Sequence, residues 1–369
     1  MDVKKIMFVL HNANKTGAPI SLLNLVKNLP SNKFEKVLLI MRNGELTEKF
    51  KPFVRETYIV RDKVFYGKSI RSYIQRISNL PFEFFKVFYF LIKSRSELIL
   101  INTTRNLRVM IVSFFLKKPY IIYVRESESM VDSMSFPRLR KFFLKKASFI
   151  IAVSKETKKW LIKYVYQDKI EVIYNGIDVK NKESCLSSEY KETFDIGIIG
   201  NLGYRKGIDY FTEILLRLKK HNGNLSVLII GDFENKDLRQ NFEKLMREKR
   251  INYKITGFVD DVYKYINMCK IIVLTSREEA LPRAVMEGAF CEKPIISFDI
   301  ASVYELLPNE SKFCLIEPFN IDRFVEVTNQ LLNNEDLRKK IGKTNKKHIL
   351  KNFNLENSII KLVNILERF

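Results

Sequence analysis

The stretch Ile271-Ile-Val-Leu-Thr-Ser-Arg-Glu-Glu-Ala-Leu-Pro-Arg-Ala-Val-Met-Glu-Gly-Ala-Phe290 opens on four apolar residues, three of them β-branched. A short apolar run without polar alternation reads as a strand buried on both faces, as in a parallel sheet. A second such run, Ile295-Ile-Ser-Phe298, follows Cys291-Glu-Lys-Pro294. Between the two runs the pattern predicts a helix, its start marked by Pro282, a residue favoured at the first helical position. Glu279 then falls in the loop before the helix and Glu287 in its second turn. That loop sits at the carboxyl end of a strand, where open α/β sheets bind ligands. It feeds a helix N-terminus, whose free N–H groups and dipole favour an anion such as phosphate.

A carboxylate can accept two hydrogen bonds from a vicinal diol. A nucleoside diphosphate sugar carries a diol at each end and a diphosphate between them, so the pair Glu279 and Glu287 suits it. The same two residues also fit solvated charges on a helix surface, where Glu is common.

Working outward, the alternation of strand and helix recurs along the chain. Apolar runs predict strands at 5–10, 37–41, 98–101, 120–124, 149–153 and 172–174 in the first half. In the second they fall at 196–199, 227–230, 253–256, 271–274, 294–297 and 313–316. Helices are expected between them, and three more close the chain near 320–333, 335–351 and 355–368. This is an α/β pattern of two Rossmann-like, doubly wound domains with a cleft between them. The expected division is 1–178, a polar linker at 179–192, a second domain at 193–353, and a C-terminal helix at 354–369 able to return to the first domain.

With 369 residues, 46% hydrophobic and 29% charged, the chain is globular and has room for two cores. Its net charge of +22 is uneven: residues 1–190 hold 35 Lys and Arg against 17 Asp and Glu, whereas residues 191–369 hold 29 against 25. A basic first half implies an anionic partner: an acidic membrane, a phosphorylated lipid or nucleic acid. The four cysteines are scattered and the three histidines do not cluster with them, which argues against a zinc site or disulfide framework and suits a reducing cytoplasm. No signal peptide and no apolar run long enough to span a bilayer is visible. Two aromatic, basic stretches stand out, residues 80–95 and Phe136-Pro-Arg-Leu-Arg-Lys-Phe-Phe-Leu-Lys-Lys146. The second places Leu139, Phe142, Phe143 and Lys146 together at helical spacing. That is the pattern of an interfacial helix on an anionic membrane, and equally of a helix packed on the sheet.

The segment Glu279-Ala-Leu-Pro-Arg-Ala-Val-Met-Glu287 resembles the paired-glutamate signature of retaining glycosyltransferases of family 4, with the GT-B fold (glycosyl transferases group 1). The resemblance implies that Glu287 holds the nucleotide ribose and Glu279 faces the donor sugar, with Leu281, Pro282 and Arg283 beside the donor. Gly200-Asn-Leu-Gly-Tyr-Arg-Lys-Gly207 is similar to the family's loop from a glycine-arginine-leucine run to a lysine-glycine pair. Lys206 matches the lysine that neutralises the donor diphosphate; Gly203 lies in the loop. Asn201 stands where the family has an arginine, and Arg205 is a candidate to supply that charge. Gly231, and Gly257, Phe258 and Val259, match segments near the donor and its nucleobase, and Gly17 matches the loop that faces the diphosphate from the first domain. Where the family commonly has a histidine after the strand at 120–124, this chain has Arg125 and Glu126, candidates for sugar or acceptor contacts or a surface ion pair. The family glycine before the Lys-Pro pair is replaced by Glu292, at a position expected to be left-handed.

The resemblance covers nearly the whole chain and is strongest from 195 to 300. It implies a retaining transferase that takes a UDP- or GDP-sugar and needs no cofactor, and since no paired-Asp motif for a metal is evident, metal independence is expected. Its acceptor would be a lipid-linked saccharide or oligosaccharide, in bacterial capsule or lipopolysaccharide synthesis at the inner face of the cytoplasmic membrane. Two other readings compete. One is a nucleic-acid-binding module recruited by charge, against which no RNP-type, zinc-finger or basic-zipper pattern is found. The other is a GT-B epimerase or phosphorylase.

Overall fold

The recurring apolar runs become the strands of two parallel sheets, each in its own unit. The computed structural model describes residues 3–61, 79–179, 192–300 and 302–369. One unit comprises Met1–Gly176 together with Leu355–Phe369, the other Ile177–Asn354. Nearly all of the stretch read as a linker, residues 180–191, and with it Cys185, lies outside the described residues.

The first unit holds β1 (Lys4–Leu10), β2 (Phe34–Ile40), β3 (Glu56–Ile59), β4 (Leu98–Asn102), β5 (Tyr120–Val124), β6 (Phe149–Ala152) and β7 (Ile170–Val172). Their order is β3-β2-β1-β4-β5-β6-β7, and every pair is parallel. Consecutive residues Ile6 to Leu10 are all fully buried, so both faces of β1 are covered. Only a continuous apolar run tolerates that. β3 was not expected from the sequence because Glu56-Thr-Tyr-Ile is an edge strand with only Tyr58 buried, too polar to read as a core run. β7 begins two residues earlier than the apolar run at 172–174 suggests. The last helix, Leu355–Glu367, is anchored on this unit: Lys4 Nζ donates to Leu366 O (3.0 Å) and Ser358 Oγ to Tyr174 O (2.9 Å).

The second unit holds β8 (Phe194–Leu202), β9 (Ser226–Phe233), β10 (Asn252–Ile255), β11 (Cys269–Leu274), β12 (Ile295–Phe298) and β13 (Leu315–Ile316). The order is β10-β9-β8-β11-β12-β13, again all parallel. In both sheets the strand order reverses beside the first strand, at β1/β4 and at β8/β11. Ile271, Ile272, Val273 and Leu274 are almost wholly buried, and each gains roughly 1.5–3 kcal/mol on leaving water.

The crossover helix of the opening stretch spans Arg283–Phe290, with Pro282 at its N-cap, one position earlier than expected. Glu292 ends it at φ 56°. Around it, the N–H groups of Glu292 and Lys293 donate to Ala289 O and Gly288 O, each at 3.1 Å, which is a Schellman closure. A non-glycine residue in that conformation costs about 1–2 kcal/mol. The neighbouring helix Glu335–Asn352 holds it in place. Lys346 Nζ lies 2.8 Å from the Glu292 carboxylate, and Gly342 is so close that a Cβ there would come within 1.8 Å of Glu292 O.

Both aromatic, basic stretches form helices. Leu80–Lys93 buries Glu83, Val87 and Leu91 on one side and exposes Phe82, Phe85, Tyr89 and Ile92 on the other. Pro137–Lys145 buries Arg140, Phe143 and Leu144 and leaves Phe136, Leu139 and Phe142 exposed. Phe143 therefore belongs to the core, not with Leu139 and Phe142 as the spacing suggests. Lys141 is engaged internally, 2.7 Å from Asp132 and 3.0 Å from the Tyr164 hydroxyl.

Candidate functional site

In the second unit, the loops after β8 and β11 meet at the point where the strand order reverses. Their apposition has a local cause. Gly207 ends the first loop at φ 66°, and a Cβ there would lie 1.9 Å from Thr275 O. Only glycine permits that approach. Thr275 Oγ1 then donates to Lys206 O (3.1 Å) or Gly207 O (3.2 Å), and Arg277 N–H donates to Arg205 O (2.9 Å). Arg277 fastens the pair further: its guanidinium forms two bonds to Asp209, 2.7 and 2.5 Å, and lies 3.9 Å from the Tyr204 ring centroid and 4.2 Å from that of Tyr210.

The result is a cluster on one carboxylate. Glu279 Oε1 accepts from Lys206 Nζ (2.6 Å) and Ser276 Oγ (3.0 Å), and Arg205 Nη1 lies 3.1 Å away. Arg205 also donates to Glu278 O (3.0 Å). Glu279 is only 8% exposed. Burial pushes its carboxyl up, but Lys206 and then Arg205 outweigh burial and hold it below the usual carboxylate range. Two cations thus stand side by side at a strand's carboxyl end, aimed by a buried anion.

Glu287, also 8% exposed, accepts from Arg283 Nη2 at 2.8 Å. Burial lowers the Arg283 guanidinium and the Glu287 charge raises it; the charge prevails. The helix they share has no side-chain cap at its N-terminus and no acidic residue in its first turn. Leu281 and Pro282 are buried at its entrance.

The remaining second-unit residues lie at or just beyond the carboxyl ends of β8, β9 and β10. Gly200 and Gly231 are register partners at φ 140° and 136°, and a Cβ on Gly231 would strike Gly200 O at 2.1 Å. Gly203 packs on the Glu234 side chain. Asn201 is exposed at the end of β8 beside Asp232, whose carboxylate pairs with Arg239 at 3.2 Å. Gly257 turns the chain at φ 68°, and Phe258 beyond it is 61% exposed; Val259 is half-buried.

Gly17, Arg125 and Glu126 lie in the first unit. Gly17 opens the helix Gly17–Asn28 and is exposed. The Arg125 side chain donates to Asn102 Oδ1 (2.6 Å) and to Asn175 Oδ1, and it lies over the Tyr123 ring. Glu126 is buried and accepts the N–H groups of Thr104 (3.2 Å) and Arg125 (3.0 Å). The two side chains are therefore not a surface ion pair; they shape the loop after β4. Sequence reasoning assigned no role to Thr275, Ser276 or Arg277. Their one legible signal was position, directly after a buried strand.

Two sequence profiles match in tandem: "Glycosyltransferase Family 4" over residues 16–181 and "Glycosyl transferases group 1" over 180–348. An uncharacterised glycosyltransferase of Methanocaldococcus jannaschii is 26% identical over 251 residues, 68% of either chain. The poly(ribitol-phosphate) α-N-acetylglucosaminyltransferase of Staphylococcus aureus is 23% identical, over 66% of this chain and 50% of its own length. The Escherichia coli UDP-Gal:α-D-GlcNAc-diphosphoundecaprenol α-1,3-galactosyltransferase is 27% identical over 61% of each. The matched stretches thus span half to about two thirds of these curated relatives. Among solved structures, Anabaena HepE in complex with UDP-glucose superposes with a TM-score of 0.83 at 18% identity, covering 99% of this chain and 100% of HepE. S. aureus TarM does so at 0.78 and 14%, covering 98% of each chain.

Proposed function

Because the chain belongs to the group 1 glycosyltransferases, which have the GT-B fold, we propose that it transfers a sugar from a nucleotide-diphosphate sugar to an acceptor hydroxyl. The observation that carries this reading is the cluster of Lys206, Arg205 and Ser276 on Glu279 at the reversal point of the second sheet. A departing diphosphate gains negative charge as the glycosidic bond breaks, and preorganised cations gain most at that moment. Lys206 and Arg205 supply them. Glu279 keeps both aimed, and its Oε2 is not used by these three contacts, so it can accept from a sugar hydroxyl. Glu287 takes the ribose diol, and Phe258 lies against the base.

With the charge of the leaving group met by side chains, the reaction is metal-independent. The acceptor hydroxyl attacks on the face that the diphosphate leaves, which retains the anomeric configuration. UDP is named for HepE and for the E. coli relative, and supports a UDP-sugar ahead of a GDP-sugar.

The acceptor is a lipid-linked saccharide of cell-surface polysaccharide synthesis, met at an anionic membrane. No helix among the described residues is long and apolar enough to cross one. What supports surface docking is the exposed stripe Phe82, Phe85, Tyr89 and Ile92, at spacings of three and four. Lys86 lies 4.8 Å above the Phe82 ring and Lys93 5.5 Å from that of Tyr89, so cations flank the apolar face.

The test is a thermal-shift screen of UDP- and GDP-sugars, since a ligand of the native state raises its melting temperature. Turnover and NMR of the product anomer, with and without EDTA, follow. The reading predicts stabilisation by one nucleotide family and an unchanged anomer. It fails if no nucleotide sugar stabilises the protein, or if the donor turns over equally without acceptor, which would indicate an epimerase.

A further inference from the structure

The carboxyl edge of the first unit's sheet gathers cations that the donor site does not use. Its loops are tied side by side. Ala13 N–H donates to Arg42 O (3.1 Å) and Asn43 N–H to Arg61 O (2.9 Å). Gly44 lies so near Ala13 that a Cβ would come within 2.6 Å of its carbonyl carbon. His11 after β1, Arg42 after β2 and Arg61 after β3 are thereby brought into line.

Across the strand-order reversal, β4 runs into Thr103 at φ 87°, a left-handed conformation that is unfavourable for a β-branched residue. The bend is held from several sides. Thr103 N–H donates to Tyr123 O (2.9 Å), Glu126 Oε2 accepts from Thr104 N–H, and Arg105 N–H donates to Thr103 Oγ1 (3.3 Å). The loop so fixed presents Arg105, with Arg140 bonded to Thr104 O at 2.5 Å and Arg108 in the helix Leu107–Phe115.

Among the described residues, these five arginines meet two carboxylates. Glu83, buried, is shared by Arg61 and Arg108, the latter at 2.9 Å. Glu126 accepts two backbone N–H groups, and its charge also acts on Arg105 and Arg140. Arg42 and Arg105 are exposed, and among the described residues neither forms an ion pair or a side-chain hydrogen bond. Both act on His11, whose imidazole is pushed down to about 4 by burial first, then Arg105 and Arg42, and whose Nδ1 is buried without a partner among the described residues. Guanidiniums from separate strands that outnumber the carboxylates beside them, at the place where open α/β sheets hold ligands, match an oxyanion with several acceptor atoms.

We infer that this edge binds a phosphate or diphosphate group carried by the acceptor, held chiefly by Arg42 and Arg105. Its role as acceptor rests on the reading of the chain as a sugar transferase; the anion site does not.

The test is calorimetric titration of inorganic pyrophosphate into protein saturated with UDP. Wild type is expected to bind it. Arg42→Gln and Arg105→Gln, both at exposed positions, are each expected to weaken it about tenfold or more, as loss of a hydrogen bond to a charged group does, with UDP affinity and melting temperature unchanged. Geranyl diphosphate identifies the source: tighter binding than inorganic pyrophosphate marks a lipid diphosphate, and equal binding marks a phosphate on a soluble acceptor. Variants that bind pyrophosphate as wild type does overturn the inference. So does a parallel loss of UDP affinity, because the cations would then serve the donor. A protein that binds no UDP sinks the donor reading instead, and the pyrophosphate comparison still decides the anion site.

Discussion

Lys206→Ala separates ground-state binding from catalysis. In the resting protein Lys206 Nζ lies 2.6 Å from Glu279 Oε1, and both side chains are largely shielded, at 14% and 11% exposure. A unit charge about 4 Å from such an ammonium interacts by roughly 4 kcal/mol at an effective dielectric of about 20. Bond breaking adds a fraction of a charge to the diphosphate, so about 2–4 kcal/mol of the barrier depends on this residue. The expected fall in kcat is on the order of thirtyfold to a thousandfold, in line with removal of one preorganised donor. Arg205→Ala is expected to be milder, because its side chain is 42% exposed and more screened by water. Single-turnover rates at saturating donor, set beside calorimetric UDP affinity, resolve the two contributions. A Lys206→Ala protein that keeps its kcat and only needs more donor refutes the transition-state role. Lys206→Arg is the informative companion, since it restores charge but not the compact ammonium.

Four further outcomes are expected. Glu287→Gln removes the charged acceptor beside Arg283, so calorimetry is expected to show UDP affinity falling roughly ten- to a hundredfold, while pyrophosphate affinity is unchanged; an unaltered UDP affinity removes Glu287 from the ribose. Gly342→Ala drives a Cβ to 1.8 Å from Glu292 O, a backbone atom in a closed Schellman turn, and a destabilisation of about 1–3 kcal/mol is expected from overpacking, read as a lower denaturant midpoint. His11 is neutral in the folded state down to about pH 4, whereas unfolded chains take up that proton near 6.5; its contribution to stability is therefore present above about 6.5 and lost as pH falls towards 4, by about 3 kcal/mol at most. In His11→Gln the pH dependence of stability over that window should flatten, and an unchanged slope contradicts the burial argument. Finally, charge reversal of Lys93, Lys145 and Lys146 to Glu should release the protein from acidic vesicles but not alter donor turnover, each cation contributing about 1 kcal/mol at such a surface; equal co-sedimentation with neutral phosphatidylcholine vesicles would dissociate the aromatic stripe from any electrostatic docking.

Much of the fold was legible because buried parallel strands leave a local trace. Ile271-Ile-Val-Leu274 and Ile6 to Leu10 are continuous apolar runs, since both faces of each strand are covered. Edge strands lack that trace, and β3 went unread because only one of its four side chains is buried. The paired glutamates and Lys206 were legible through motif and spacing, and the left-handed Glu292 through its place before Lys293 and Pro294. The sequence alone could not show what each charge would face. Glu279 and Lys206 lie far apart along the chain, and their contact exists because Gly207 presses against Thr275 O, a relation set by strand order. Their place after the strand at 120–124 made Arg125 and Glu126 candidates for sugar or acceptor contacts or a surface ion pair, and nothing in the sequence said what Lys141 would meet. Tertiary structure turns Arg125 to Asn102 and Asn175, Glu126 to backbone N–H groups, and Lys141 to Asp132. Helical and strand periodicities are properties of neighbours in sequence, so they survive in the string of residues. The partner of a buried charge depends on which loops share a sheet edge, and that is decided only when the strands take their order.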